Sequence, residues 1–307
     1  MANYPVKPKK KRYTKWLLIA LASFALAISL GLMALFPKAT STLDEIHEPL
    51  TRQVSAKRPE KIVLEEKEPL SILLLGVDER ENDKGRSDTI VVLTVNPSAQ
   101  SIKMVSIPRD TYTEIADMGR YDKINHAFAF GGAEMSLETV EHLLDIPIDY
   151  VMQINMEGFK DIIDALGGIT VDNEFAFDGF SEGEILLSGE DALDFVRMRK
   201  EDPDGDFGRQ NRQKQVLKSV LAKTASANTL FNYSKIMDAL GDNVKTNMSF
   251  SEMMDVQSNY RSAINSIEQL NFERGSGEIM NGIWYYRMDD GELTEIQNLL
   301  KEHLKME

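Results

Sequence analysis

The sequence predicts an α/β domain, a central mixed β-sheet flanked by helices, behind one N-terminal transmembrane helix. Three observations carry that prediction. Residues 16–36 (WLLIALASFALAISLGLMALF) run for 21 residues without a charge. From Ser71 onward, short runs rich in Ile, Val and Leu and bounded by turn residues suit buried strands. Longer amphipathic segments then alternate with such runs, the rhythm of helices packed on a sheet.

The first element is the apolar segment. At 1.5 Å per helical residue it spans roughly 30 Å, one hydrocarbon core. Tyr13 and Trp16 stand at the aromatic-belt position, directly after Lys7, Lys9, Lys10, Lys11, Arg12 and Lys15. That +6 side stays cytoplasmic, so residues 1–15 form a basic tail and everything beyond Phe36 is exported. A cleaved signal peptide would have a shorter apolar region, about 7–15 residues, and a small-residue cleavage site. Phe36-Pro37-Lys38 supplies no such site. Residues 37–69, with Pro, Lys, Glu, Ser and Thr and no sustained apolar period, read as a linker, and residues 70–307 as one exported domain.

Within that domain Ser71–Val77, Thr89–Val95 and Ile102–Ile107 are the opening strands, the last two joined as a hairpin through Asn96-Pro97-Ser98-Ala99. A helix over Glu138–Leu144 follows, with Ser136 as its cap. Tyr150–Ile154 and Ile169–Val171 are strands flanking a helix over Met156–Leu166, which Gly167-Gly168 stops. Ser188-Gly189-Glu190-Asp191 starts a capped helix reaching about Arg199, and Phe207–Thr224 forms a longer one. Beyond Ala225, Phe250–Ser262 reads as helix, Gly282–Met288 as strand and Glu292–Leu304 as a terminal helix.

Composition excludes several function classes. Charged residues make up 27% and hydrophobic ones 42%, ordinary for a globular chain. Outside the basic tail, 29 basic residues face 49 acidic ones, a net of −20, which disfavours sequence-independent nucleic-acid binding. The absence of cysteine removes disulfides, thiolate zinc sites, iron–sulfur clusters and thiol catalysis. His47, His126, His142 and His303 lack ligand spacing, and neither a GxSxG elbow nor a P-loop occurs.

Three clusters at the ends of predicted elements have chemical potential. Asp78 ends the first strand and Asp88, after Arg86, precedes the second; if those strands are neighbours, their carboxylates meet at one edge. Such a pair suits a hard cation such as Mg²⁺. Aspartate also terminates strands and caps turns without any ligand. Arg109, held in extended chain by Pro108, stands where open α/β sheets bind ligands; the alternative is a surface ion pair beside a turn at Asp110-Thr111. Arg197, Arg199, Arg209 and Arg212 fall within sixteen residues. Arg209 and Gln213 share a helical face with Arg212 beside them, and the helix start near Asp206–Gly208 has N–H groups to add. Arg197 and Arg199 serve one site only if their helix frays into extended chain. Converging guanidinium groups make a phosphate cradle, although arginines also simply complement a helix C-terminus.

Together, LLLGVD (73–78), GRSDT (85–89), SIPRDT (106–111), KINHAFAFGG (123–132) and RMRKEDPDGDFGRQNRQ (197–213) resemble the LytR-CpsA-Psr family, in the family's order and behind a single anchor. The long RMRKEDP-type segment is most similar to the branch that handles wall teichoic acid. The resemblance implies an α/β/α fold with Mg²⁺ at a pyrophosphate. It implies a phosphotransferase that moves an anionic glycopolymer from a polyprenyl-pyrophosphate lipid to a peptidoglycan hydroxyl. Asp78 and Asp88 would hold the metal, with Asp78, Asp88, Arg86 and Arg109 forming the catalytic group. Arg197, Arg199, Arg209 and Gln213 would bind the phosphates. The protein would be a single-pass type II protein of the cell membrane in a Gram-positive-type bacterium. Asp204 stands where related sequences often carry a basic residue, so no phosphate contact is assigned there. A metal-dependent hydrolase of lipid pyrophosphate, or a non-catalytic membrane-tethered cell-wall module, are the alternative readings.

Overall fold

The computed structural model describes residues 46–52, 54–78, 85–198, 201–224 and 241–306. The chain divides into two compact units, residues 1–41 and 42–307. The first, with the expected basic tail and membrane span, lies outside the described residues. Among the described residues no helix is long and apolar enough to cross a membrane.

The strand β1 (Leu70–Val77) is the axis of the domain. It pairs antiparallel with β2 (Ser87–Asn96) and parallel with β6 (Tyr150–Asn155). The sheet continues through β3 (Ser101–Ser106) to β10 (Ser266–Leu270) on one side and to β9 (Val244–Thr246) on the other, in the order β10-β3-β2-β1-β6-β9. Both faces of the central strands are covered, which is why they read as nearly unbroken apolar runs. Leu73, Leu75, Val77, Ile90 and Val92 face Val140 and Leu144 of α1 (His126–Leu144) and Ile296 and Leu300 of α6 (Asp290–His303). Val91, Leu93, Ile102 and Met104 face the other way, toward Leu217 and Leu221 of α4 (Asp206–Thr224) and Met253 and Val256 of α5 (Phe250–Asn259). A satellite core joins α2 (Met156–Ala165), α3 (Gly189–Arg197) and the hairpin β7 (Ile169–Asn173)–β8 (Gly183–Leu187). The expected α/β class with a mixed sheet between helices is therefore the observed one.

Several boundaries differ for identifiable reasons. The expected β2–β3 hairpin forms, its turn held by Ala99 N–H donating to Asn96 Oδ1 at 2.9 Å. Ser188 caps α3 in a reciprocal box with Asp191, as its sequence signature indicates. Ser136, expected to cap, lies inside α1: residues from His126 are already helical, and Gly131 and Gly132 break the path between two helical stretches. Residues 46–69 are not a free tether. Ile46, Ile62 and Leu64 are buried, Arg52 donates to Glu141 and to the Ile148 carbonyl at 2.9 Å, and Arg58 holds Asp149 at 2.8 Å. Isolated apolar and arginine anchors without a period escape pattern reading. The β4 (Tyr112–Ile115)–β5 (Arg120–Lys123) and β11 (Ser276–Met280)–β12 (Ile283–Arg287) hairpins were likewise not expected in full.

The end of α6 is fastened by His303. Its Nδ1 meets Thr94 Oγ1 at 2.8 Å, its Nε2 meets Ser101 Oγ at 2.9 Å, and its carbonyl accepts from Asn96 Nδ2 at 2.7 Å. Burial first, and the nearby Lys103 second, push its pKa down to about 4, with Glu268 opposing. The folded state thus favours neutral imidazole, and the stability this confers is complete above the unfolded value near 6.5 and is lost as pH falls toward 4. His303→Gln, neutral at every pH, is expected to flatten the pH dependence of unfolding free energy between pH 6.5 and 4, by up to about 1.4 kcal/mol per pH unit. Urea titrations of both proteins across that range check this; parallel curves would refute it.

Candidate functional site

The carboxyl ends of β1, β3, β6 and β10 and the amino end of β2 meet at one edge of the sheet, because only β2 and β9 run against the rest. Open α/β sheets bind ligands at such an edge. Val77 pairs with Ser87 and Gly76 with Thr89, which leaves Asp88 as the extra residue of a bulge. A bulge re-aims a side chain out of the ladder. Asp78 N–H donates to the Arg86 carbonyl at 3.3 Å, closing the loop between the strands. Gly85 sits there at φ 73°, and a Cβ would come within 2.6 Å of the Asp78 carbonyl oxygen, so only glycine fits. Asp78, exposed Arg86 and Asp88 are thereby gathered at one corner, as the spacing predicts.

Arg109 enters from the neighbouring strand end. Thr111 donates to the Pro108 carbonyl through both N–H (2.9 Å) and Oγ1 (2.6 Å), which fixes the turn. Arg109 Nη1 lies 3.1 Å from Asp88 Oδ1, and its Nε lies 3.5 Å from Asp110, which also binds Lys123 at 2.6 Å. Sequence reasoning missed Asn125. It stands at the N-cap of α1 but its side chain caps nothing. Its N–H donates to the Arg109 carbonyl at 3.2 Å, and Nδ2 lies 3.5 Å from Asp88. Among the described residues, Asn125 Oδ1, Ser87 Oγ and Ser106 Oγ are buried without a hydrogen-bond partner. The sequence offered only the asparagine of the KINHAFAFGG run, well ahead of the helix expected from Glu138; the structure starts that helix at His126.

Arg209 and Gln213, four residues apart on α4, line one narrow cleft with Asp88, Thr89, Pro108 and Arg109. The structure thus brings these two residues of the third cluster to Asp88 and Arg109 of the first two. Arg197 ends α3 and meets Met156, the residue after Asn155, which pairs with Val77; it belongs to the same edge but not to the lining of that cleft. Arg199 lies outside the described residues, and α3 stops at Arg197, with Met198 extended at ψ 133°. Arg212 does not join the site. It is buried, paired with Asp202, and donates to the Phe195 carbonyl at 3.0 Å and to the Met198 carbonyl. Nor does the start of α4 present a free Phe207 N–H, which donates to the Asp204 carbonyl at 3.2 Å.

Arginines from two directions, a glutamine and two carboxylates at one sheet edge suit an anion whose charge is partly neutralised by a cation. No group of three or more acidic or imidazole side chains forms a metal cage among the described residues. Two carboxylates and an unpaired amide oxygen, at Asn125, are nevertheless a fitting donor set for Mg²⁺, which keeps several waters when bound.

Comparison with known proteins finds relatives over most of the chain. The LytR_cpsA_psr family model matches residues 33–302. A Bacillus licheniformis protein named polyisoprenyl-teichoic acid–peptidoglycan teichoic acid transferase TagU is 47% identical over 303 residues, covering 97% of this chain and 98% of its own. The crystal structure of Bacillus subtilis TagU superposes with a TM-score of 0.63 at 45% identity, over 78% of this chain and 99% of that one. A structure described as TagT bound to LIIa-WTA gives a TM-score of 0.74 at 32% identity, over 85% of this chain and all of the other (100%).

Proposed function

The chain belongs to the LytR-CpsA-Psr family, and from that premise we propose that it is a phosphotransferase that attaches teichoic acid to peptidoglycan. The observation that carries the reading is the cleft where Arg109, Arg209 and Gln213 converge on Asp88, at the sheet corner that also holds Asp78 and Arg86. The donor is a polymer on a polyprenyl-pyrophosphate lipid. An acceptor hydroxyl oxygen forms a bond to the polymer-proximal phosphorus, the bond from that phosphorus to the bridging oxygen breaks, and polyprenyl phosphate leaves.

Phosphoryl transfer asks chiefly for positioning and for positive charge where the transition state spreads negative charge. Arg109 and Arg209 hold phosphate oxygens from two sides, Gln213 adds an amide, and Arg86, Arg197 and Arg199 belong to the same binding group. Mg²⁺, held by Asp78 and Asp88, would supply further neutralisation of the pyrophosphate when bound. Asp88 accepts the proton of the incoming hydroxyl. Its side chain is 37% exposed, so Asp88→Ala is expected to lower transfer by about 10³-fold or more while leaving the fold intact; wild-type-like transfer by that variant would remove the assignment. Residues 16–36 anchor the enzyme in the cell membrane with the catalytic unit outside. Confinement to the surface that holds the lipid donor raises their effective concentration without any new contact.

The full chain in detergent micelles, rather than a truncation that removes Arg52 and Arg58, is the material for the test. It is incubated with a synthetic polyprenyl-pyrophosphate-linked disaccharide, Mg²⁺ and uncrosslinked peptidoglycan chains, and products are identified by mass spectrometry. A phosphodiester-linked adduct that disappears with EDTA and in Arg109→Ala is expected. Polyprenyl phosphate with only free sugar phosphate would replace transfer by hydrolysis, and retained lipid without turnover would replace it by binding.

A further inference from the structure

A second cavity, of about 300 Å³, lies against another face of α4. Phe207, Gln210, Asn211 and Lys214 recur there at i, i+3, i+4 and i+7, while Arg209 and Gln213 point into the Arg109 cleft. The facing wall is Asn271–Glu273, the chain leaving β10. Leu270 pairs with Val105, immediately before Ser106 of the first cleft, and Gln210 lines both spaces. The two are therefore neighbours along one sheet edge.

Lys214 is the group this cavity leaves unexplained. It is only 2% exposed, and its Nζ donates to Asn271 Oδ1, whose own Nδ2 donates to Glu273 at 3.3 Å. An ammonium carries three donors, and burying one with a single partner is costly. Burial pushes the Lys214 pKa down to about 8, with Glu273 opposing. Among the described residues, two of its donors thus remain to be satisfied from the cavity.

The rest of the lining selects the ligand. Asp204 and Glu273 oppose a phosphate but accept hydroxyl hydrogens, and Asn211 and Asn271 offer both donor and acceptor. Phe207 is 39% exposed and is braced edge-on by Tyr286, with ring centroids 6.1 Å apart, so it presents an apolar surface. Amides, carboxylates and an aromatic ring around a space of this size match the polar edges and apolar face of a pyranose. We propose that this cavity is a saccharide subsite that takes a hydroxyl-rich, uncharged sugar ring of the acceptor glycan, with Lys214 and Asn271 bonding its oxygens and Phe207 covering its apolar face. The assignment to the acceptor rests on the transferase reading above; the sugar-binding property does not.

Isothermal titration of the full chain in detergent micelles with N-acetylated chitotetraose, an uncharged N-acetylhexosamine oligomer, tests the property directly. Saturable binding is expected, weakened at least tenfold in Lys214→Met and in Phe207→Ala, and not displaced by glycerol phosphate. Lys214→Met removes a buried charge at similar length, and Phe207→Ala changes an exposed residue, so one of the pair keeps the test valid if the other unfolds. Absence of saturable binding, equal binding by both variants, or displacement by glycerol phosphate would overturn the subsite. In the transfer assay, Lys214→Met should raise the KM for peptidoglycan chains about tenfold and leave that for the lipid donor unchanged. A change confined to the donor KM would overturn the acceptor assignment. Chitotetraose binding that depends on Lys214, in a protein that forms no adduct, would instead refute the transferase reading and leave the sugar site standing.

Discussion

Arg212→Ala is expected to destabilise the folded domain by about 3–5 kcal/mol, the cost of breaking a buried ion pair from one side. The guanidinium is 5% exposed and all its groups are used: Asp202 and the carbonyls of Phe195 and Met198 accept its hydrogens, and its carbon lies 5.4 Å from the Phe177 ring centre and 5.9 Å from that of Phe195. Removing it leaves the Asp202 carboxylate, equally buried, without its countercharge. The same carboxylate packs against Gly208, where any Cβ would overlap it. Arg212→Lys is not a rescue, because a single ammonium cannot reach three acceptors set out for a planar fork. Arg212→Met combined with Asp202→Asn should recover most of the loss, since the uncompensated charge is then gone. Denaturant unfolding monitored by circular dichroism measures all three. A loss below about 1 kcal/mol in Arg212→Ala would contradict the buried-pair account. Arg212 matters to function because its bonds to the Phe195 and Met198 carbonyls tie the end of α3, which holds Arg197, to α4, which holds Arg209.

Arg212 also shows where reading a sequence stops. Four arginines in sixteen residues look alike on paper, yet one turns inward to close a loop while Arg209, three positions away, lines the cleft. The deciding factor was Asp202, an acid in a loop whose side chain is buried where the chain turns at Gly205 and where Gly208, inside α4, leaves room for its carboxylate. By contrast β1, β2 and β3 were legible because both faces of each are covered, so composition alone marks them. β4, β5 and β11 are short and half-exposed and carry no comparable signal. The corner formed by Asp78, Arg86 and Asp88 was legible because one short connection makes it, whereas Lys214 and Asn271 lie 57 residues apart in sequence, on α4 and on the chain leaving β10, and no local pattern links them. Asn125 escaped because the helix was expected to begin only at Glu138, so its place at the entry of α1 had no sequence signal.

Replacing Arg109 by alanine is expected to reduce kcat for transfer by about 10²–10³, or about 3–4 kcal/mol of barrier, as for loss of one preorganised donor to a developing anion. The argument rests on how the side chain is held. Pro108 and the doubly bonded Thr111 fix its backbone, Asn125 N–H binds its carbonyl, and Asp88 and Asp110 flank its guanidinium at 3.1 and 3.5 Å. A donor already aimed costs no reorganisation when charge develops. Arg109→Lys should recover little, because a point charge replaces a fork that reaches Asp88 and a phosphate together. The ion pair predicts non-additivity as well: in Asp88→Asn the arginine loses its countercharge, so adding Arg109→Ala to that variant should cost clearly less than it does in the wild type. Single-turnover rates for the two single variants and the double variant close the cycle. Full additivity would mean that the 3.1 Å pair plays no part in the reaction, and transfer by Arg109→Ala within tenfold of wild type would remove Arg109 from the catalytic group.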